Sequence, residues 1–167
     1  MPSDIQMRIL GIDPGVNRVG YGLVESANGQ QTVIQTGVIV PSAKEDYQKK
    51  TSLIIETFDR LLEEMQPDVV VIEEIYLGKN FRIALKIGQI MGLLLGSVAR
   101  KKITFCLLSP REIKQNVTGR GSATKQQVQY MLEHITGYKN FNSEDESDAV
   151  AAAISYLNNK KEYDLLH

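Results

Sequence analysis

Hydrophobic and polar positions divide the chain into alternating predicted strands and helices. Three apolar stretches, 8–13, 19–26 and 31–40, have the length of strands and are separated by the turn sequences PGVN and NGQ. From 44 to 65 the apolar positions recur every three or four residues, which predicts a helix that ends before Pro67. Three consecutive strands followed by a helix indicate an antiparallel meander at the start of the chain.

The rest of the chain alternates in the same way. Strands are predicted at 68–73 and 102–108, and helices at 80–101, 109–117, 124–137 and 143–159. Ser109 and Pro110 are suited to the cap and first position of their helix, and TGRGSAT, 118–124, is predicted to be a loop. This order favours one α/β domain over 1–167, with short appendages at 1–7 and 159–167.

Composition narrows the possible functions. The 167 residues are 43% hydrophobic and 23% charged, which is ordinary for a globular protein and argues against disorder. The formal net charge of −1 gives no sign of a polyanionic partner, so any contact with nucleic acid requires a local basic patch. Cys106 is the single cysteine and the two histidines are isolated, which excludes a disulfide framework and argues against a zinc site.

The sequence shows neither the pattern of a signal peptide at its start nor an apolar stretch of membrane-spanning length. The start, MPSDIQMRILGID, lacks the basic, apolar and small-residue order of a signal peptide. The longest apolar stretch, 90–99, is shorter than the ~20 residues that span a bilayer, so we expect a buried helix there. The expected location is the cytoplasm, without membrane association.

Two glutamates follow the fourth predicted strand directly, in the segment VVVIEEIY at 69–76. Neighbouring side chains on a strand point to opposite faces, so Glu73 shares a face with Val71 and Glu74 shares the other face with Ile72. We therefore expect one of the two carboxylates to point into a site. The alternative is a strand that simply reaches solvent.

Three aspartates occupy comparable positions. Asp13 ends the first strand inside GIDPG, although an aspartate that orders a turn is the alternative explanation. Asp145 and Asp148 are three residues apart, which places them on one face of a helix. Against a functional role for that pair, Ser143 and Glu146 have the spacing of a capping box, and acids in a first turn favour the helix dipole.

Carboxylates that converge at strand ends would repel one another unless a cation neutralised them. Oxygen ligands without cysteine or histidine favour Mg²⁺ or Mn²⁺. Two such ions can activate a water and stabilise the leaving oxygen in phosphodiester hydrolysis. The acids therefore indicate metal-dependent phosphodiester chemistry when they are considered together.

Four separated segments carry a pattern known from one family. They are ILGIDPGVNRVGYGLVE, VVVIEEIYLGKNFRIALKIGQIMG, SPREIKQNVTGRGSATKQQVQYML and EDESDAVAAAI. In this order and spacing they resemble the bacterial RuvC Holliday-junction resolvases, over about residues 8–157. The resemblance implies a ribonuclease-H-like α/β fold with a central mixed five-stranded sheet flanked by helices. It also implies a Mg²⁺-dependent endodeoxyribonuclease that resolves four-way DNA junctions by paired symmetric nicks in recombination and repair.

The same resemblance assigns the acids. The catalytic, metal-binding carboxylates would be Asp13, Glu73, Asp145 and Asp148, holding two Mg²⁺ ions, with Mn²⁺ as the other candidate. A histidine stands at the position of Asp145 in some members of the family. Glu74 is not at a ligand position, which favours Glu73 as the residue that points into the site.

DNA contacts are expected from local features. In the loop around GRGSATK, Gly119 and Gly121 would let the backbone approach a phosphate closely, although a solvated basic loop is the alternative. By resemblance, Tyr76 is an aromatic residue that stacks on an unpaired base near the crossover. The candidate DNA-binding residues are Tyr76, Lys79, Asn80, Lys114, Arg120 and Lys125.

Gly88, Gly92 and Gly96 form a smooth stripe along one predicted helix. Such a stripe favours either packing within the chain or the interface of a homodimer. A homodimer would match the two-fold symmetry of a four-way junction, and the resemblance adds the RuvA-RuvB branch-migration complex as a further partner.

Two other function classes remain. A catalytically inert nucleic-acid-binding relative of the same fold would be indicated by the loss of a metal carboxylate, and none is missing. Actin-like and sugar-kinase-like ATPases also open with a GID strand and turn, but they need a second lobe with its own phosphate loop. The sequence contains no second Asp-Gly loop of that kind.

Overall fold

The computed structural model describes residues 6–75 and 80–160 and places five strands and five helices within them. The elements are β1 Met7–Asp13, β2 Val19–Ala27, β3 Gln30–Ile39, α1 Tyr47–Met65, β4 Val69–Glu73, α2 Phe81–Arg100, β5 Thr104–Leu108, α3 Pro110–Thr118, α4 Lys125–Thr136 and α5 Glu144–Asn158. Residues 1–5, 76–79 and 161–167 lie outside this description, and with them most of the two predicted appendages.

The predicted order of elements is confirmed, and only their ends shift. The largest shift is at the start of α1, predicted at 44 and observed at Tyr47. There the Asp46 carboxylate accepts a hydrogen bond from the Lys49 backbone N–H at 2.9 Å and caps the helix. Ser109 and Pro110 occupy the cap and first turn of α3, as predicted.

The sheet is mixed and has the strand order β3-β2-β1-β4-β5. β1, β2 and β3 form the predicted antiparallel meander, whereas β4 is parallel to β1 and β5 is parallel to β4. Ile12 pairs with Ile72, so the next residues, Asp13 and Glu73, end adjacent strands at the same edge of the sheet. The topology itself therefore brings two of the four acids together.

Helices cover both faces of the sheet. α1 and α2 pack on one face, in a cluster that contains Phe58, Leu94 and Ile72. α3, α4 and α5 cover the other face, in a cluster that contains Val71 and the buried alanines of α5. The predicted alternation along β4 is confirmed, because Val71 and Ile72 belong to different clusters.

α2 is long and apolar enough to cross a membrane by length and composition alone, and it is the one such helix among the described residues. Its inner side instead belongs to the core, since Ile90, Leu94 and Val98 are fully buried against the sheet and α1. These contacts support the expectation of a packed helix of a folded domain.

The outer side of α2 is open in the described part of the chain. A side chain added at Gly92 or Gly96 would meet no described atom within 4 Å, and Leu85 and Leu93 beside them are 56% and 44% exposed. Only Gly88 faces a neighbour, the Cδ1 atom of Ile75, at 3.5 Å. Packing among residues 6–75 and 80–160 therefore does not account for most of the glycine stripe.

Candidate active site

The four predicted carboxylates line one pocket of about 450 Å³ at the carboxyl edge of the sheet. Asp13 and Glu73 come from the ends of β1 and β4, and Asp145 and Asp148 come from the first two turns of α5. The sequence-based expectation that these side chains share a site agrees with this placement. Glu74, Lys114, Lys125 and Glu144 also contribute to the pocket wall.

Close packing of the backbone puts α5 in this position. A Cβ atom at Gly11 in β1 would collide with the carbonyl oxygen of Ala149, and one at Gly20 in β2 would collide with that of Asp145. Gly20 is also the register partner of Asp13. Because the strands carry no side chain at these points, the first turn of α5 lies directly against the strand ends.

Burial and mutual repulsion disfavour the ionised acids. Burial is the main cause that raises the pKa of Asp13 to about 7, and the nearby Glu73, Asp148 and Asp145 carboxylates add to it. The pKa of Glu73 is also raised to about 7, by burial and then by Asp148, while Lys125 and Lys114 act in the opposite direction. The pKa of Asp148 is raised, again mainly by burial.

Two basic side chains hold the acids of α5. The Arg18 Nε–H donates to the Asp145 Oδ2 atom at 2.7 Å. The Lys125 ammonium lies 3.4 Å from the Asp148 Oδ2 atom and 2.9 Å from the Glu144 Oε2 atom. Arg18 was missed by the sequence analysis, although it lies in the turn that joins the strands of Asp13 and Gly20.

A divalent metal fits the donor set but requires side-chain movement. Among the described residues, no three acidic, histidine or cysteine side chains are close enough to hold an ion without moving. Asp145 and Asp148 accept hydrogen bonds from Arg18 and Lys125. All the carboxylates nevertheless offer oxygen alone, from three elements that meet at one pocket, and three of them have pKa values raised partly by neighbouring acids. These properties suit a hard divalent cation.

Glu74 is more exposed than Glu73, although both side chains line the pocket. Its side chain is exposed at the rim, and its backbone N–H donates to the Leu108 carbonyl at 2.8 Å. The Asn80 side chain accepts from the Ile83 N–H at 3.3 Å and caps α2, so it has a structural role besides any contact with DNA. Tyr76 and Lys79 lie outside the described residues.

The predicted basic loop divides into two parts. Lys114 and Lys125 line the pocket of the acids, whereas Arg120 lies in a different depression beside Tyr130 and Met131. The structure therefore brings two of these three cations to the site.

The glycines of this loop have structural explanations. Gly119 ends α3 with a φ of 79°, and the Gly121 N–H donates to the Gln115 Oε1 atom at 2.9 Å. The Gly121 amide, which was expected to approach a phosphate, thus already has a partner within the chain. The prediction of a phosphate contact here now depends on the lysines.

The predicted capping box of α5 is only half formed. The Ser143 Oγ atom accepts from the Glu146 N–H at 3.4 Å, but the Glu146 carboxylate does not return the bond. It accepts instead from the Thr36 hydroxyl at 3.1 Å and the Asn142 N–H at 2.9 Å. α5 packs against β3 on this side, so Glu146 is 5% exposed and its carboxylate is satisfied by these two donors.

Comparisons with known proteins agree with this architecture. A family model described as crossover junction endodeoxyribonuclease RuvC matches residues 9–156. A protein of that name from Trichlorobacter lovleyi is 36% identical over 152 residues, covering 91% of this chain and 85% of the relative. Another, from Cytophaga hutchinsonii, is 38% identical over 156 residues, covering 93% and 78%.

Solved structures match as well. Thermus thermophilus RuvC in complex with a Holliday junction substrate has a TM-score of 0.88 at 24% identity, covering 94% of this chain and 96% of that one. The yeast mitochondrial Holliday junction resolvase Ydc2 has a TM-score of 0.69 at 17% identity, covering 98% and 85%. The expected ribonuclease-H-like fold is confirmed.

Proposed function

Since the chain belongs to the RuvC family of crossover junction endodeoxyribonucleases, we propose that it resolves four-way DNA junctions in recombination and repair by paired, symmetric nicks. The observation that carries the proposal is the set of four carboxylates in one pocket, flanked by Lys114 and Lys125. We further propose that residues 1–167 form a single nuclease domain.

The proposed cofactor is Mg²⁺, or Mn²⁺, with two ions held by Asp13, Glu73, Asp145 and Asp148. When bound, such ions would polarise the phosphate and activate the attacking water. The protein's own contribution is to keep the Asp13 and Glu73 carboxylates close together and desolvated. Once they lose their protons, a bound cation would offset the repulsion between the two negative charges. Lys125 would have to leave Asp148 when this occurs.

DNA binding is proposed to be local, because the net charge is −1. Lys114 and Lys125 line the pocket of the acids, which supports them as contacts to the phosphates next to the cleaved bond. Tyr76, Lys79, Asn80 and Arg120 stay as further candidate contacts from the family pattern.

A homodimer is the proposed assembly. Two nicks in strands of like polarity need two carboxylate clusters, and the described part of one chain supplies one. The open side of α2, with Gly92, Gly96, Leu85 and Leu93, supports this helix as the interface. Sedimentation of the protein alone and on junction DNA tests it, and a monomer under both conditions would contradict the proposal.

Family membership supports two further expectations. They are cooperation with the RuvA-RuvB branch-migration complex and a cytoplasmic location. A catalytically inert binding relative is not favoured, because all four carboxylates are present and share a pocket.

The proposed function is tested with purified protein and synthetic DNA. A four-way junction and a linear duplex of matched sequence are incubated with and without Mg²⁺, and the products are resolved on denaturing gels. The expected result is paired nicking of the junction only, dependent on Mg²⁺. Equal cleavage of both substrates, or cleavage of neither, would contradict the proposal.

A further inference from the structure

Arg18 is held at the rim of the pocket by its backbone. It ends the turn between β1 and β2, where a Cβ atom at Gly15 would collide with the Arg18 carbonyl oxygen. Two residues later, Gly20 packs directly against the backbone of Asp145. The chain is therefore fixed on both sides of Arg18, next to a residue of the proposed metal site.

The side chain of Arg18 uses only part of its binding capacity on Asp145. The 2.7 Å bond involves the Nε–H, and a guanidinium has four more N–H donors. The Arg18 side chain is 49% exposed and that of Asp145 is 29% exposed, so the contact lies at the mouth of the pocket. A phosphate arriving from solvent could bind this guanidinium in the bidentate manner that its geometry favours.

A metal ion and Arg18 compete for Asp145. The Arg18 Nε–H occupies the Asp145 Oδ2 atom at 2.7 Å, so the guanidinium must move when a cation takes that oxygen. Two cations left side by side would repel each other unless an anion lay between them. The phosphodiester of the bound strand is the anion that the proposed reaction brings to this place.

We propose that Arg18 exchanges partners: it holds Asp145 in the metal-free protein and binds a substrate phosphate once a divalent ion occupies the acids. This inference rests on the proposed function. It makes Arg18 a substrate-positioning residue whose ion pair also weakens metal binding. Loss of the side chain should thus strengthen metal binding without DNA and weaken the binding of DNA with metal.

The first measurement is calorimetric titration of DNA-free protein with Ca²⁺, which takes the same carboxylate oxygens as Mg²⁺. Arg18→Ala should bind Ca²⁺ about two- to fivefold more tightly than wild type, the range expected for release of a half-exposed ion pair. Arg18→Gln keeps the length of the side chain and should give the same result, so the test does not depend on the folding of one variant.

The second measurement is junction affinity, by fluorescence anisotropy in EDTA and in saturating Ca²⁺, with gels of the same samples to show that the junction is intact. The Arg18 variants should match wild type in EDTA, where Arg18 is engaged by Asp145. In Ca²⁺ they should bind the junction more weakly than wild type. The slope of log Kd against log salt should fall by about one unit, which corresponds to one phosphate contact. A purely structural role would shift affinity equally under both conditions.

Arg8→Ala is the matched control. Arg8 pairs with Glu25 at 3.9 Å across the same two strands, at their opposite end, and should leave both measurements unchanged. If wild type binds Ca²⁺ and prefers junction DNA but the Arg18 variants equal it in both measurements, this inference is wrong and the proposed function stands. If wild type neither binds Ca²⁺ nor prefers junctions, the proposed function itself fails.

Discussion

The two faces of the central sheet are packed in different ways. Under α1 and α2, large side chains such as Phe58, Leu94 and Ile72 fill the space between helix and sheet. Under α5 the helix presents alanines, and its backbone lies against Gly11 and Gly20. Only the second arrangement brings the start of a helix near enough to the strand ends for its acids to share their pocket.

Glu73 and Glu74 show what this difference means for single residues. They are neighbours in sequence, but Glu73 is part-buried, and burial raises its pKa to about 7. Glu74 is exposed. Both side chains line the pocket, so the observed difference between Glu73 and Glu74 is their burial.

The largest expected effect separates these two glutamates. Asp13→Asn or Glu73→Gln should lower junction cleavage at least about 1,000-fold, since each removes a charge needed for a cation worth several kcal/mol to the transition state. Junction binding should persist or improve, because like charge near the DNA is removed. Glu74→Gln should stay within about threefold of wild type. Cleavage that persists in Asp13→Asn, or an equal loss in Glu74→Gln, would refute the assignment.

A pair of core substitutions contrasts the two packing modes. Leu94→Ala leaves a cavity under α2 and should cost about 2–5 kcal/mol in the free energy of unfolding, without changing metal affinity. Gly11→Ala should cost at least about 1–3 kcal/mol because the added methyl meets α5 backbone, and it should also weaken metal binding by displacing Asp145 and Asp148. Urea denaturation and Mg²⁺ titrations monitored by thermal shift measure both. Unchanged metal affinity in folded Gly11→Ala would contradict the close-packing account.

Features that depend on the local pattern of residues were predicted correctly from the sequence. The element order and the meander follow from periodicity and turn residues, whereas the choice of Glu73 over Glu74 came from the family resemblance. The sequence could not predict Arg18 with Asp145, which are 127 positions apart, because such a contact exists only after β2 and α5 have packed together. The role of the Glu146 carboxylate was missed for the same reason. Capping is a local pattern, but the Thr36 hydroxyl that donates to Glu146 belongs to a strand that is distant in sequence.

The pH dependence of stability should show the cost of ionising Asp13 and Glu73 in the folded protein. Asp13 and Glu73 have ordinary pKa values of 3.8 and 4.5 and folded values of about 7. As pH rises, the unfolded chain loses these protons at a lower pH than the folded protein does. The free energy of unfolding without metal should therefore fall by about 1–3 kcal/mol between about pH 4 and about pH 7, and then level off.

Denaturation in EDTA across this range checks the prediction. Mg²⁺ should stabilise the protein more at pH 8 than at pH 5, because its ligands must be deprotonated, and Asp13→Asn should reduce both effects. Metal-free stability that rises from pH 5 to pH 7 would contradict the account.

The smallest effect concerns phosphate contacts. Lys114→Ala should lower the slope of log Kd for junction DNA against log salt by about one unit. The reason is that each phosphate contact releases about one counterion, and the variant makes one contact fewer. Arg60→Ala on α1 removes the same charge from an exposed site on the other face and should leave the slope unchanged. Equal slopes for Lys114→Ala and wild type would show that Lys114 faces solvent.

The central claim is that carboxylates from two strand ends and α5 hold the metal. The most direct test is an anomalous difference map from crystals of the protein grown with Mn²⁺. The account predicts peaks bonded to Asp13 and Glu73 and completed by Asp145 or Asp148, with none at Glu74. Mn²⁺ bound only at Glu74 and Glu144, with Asp13 and Glu73 unligated, would contradict it.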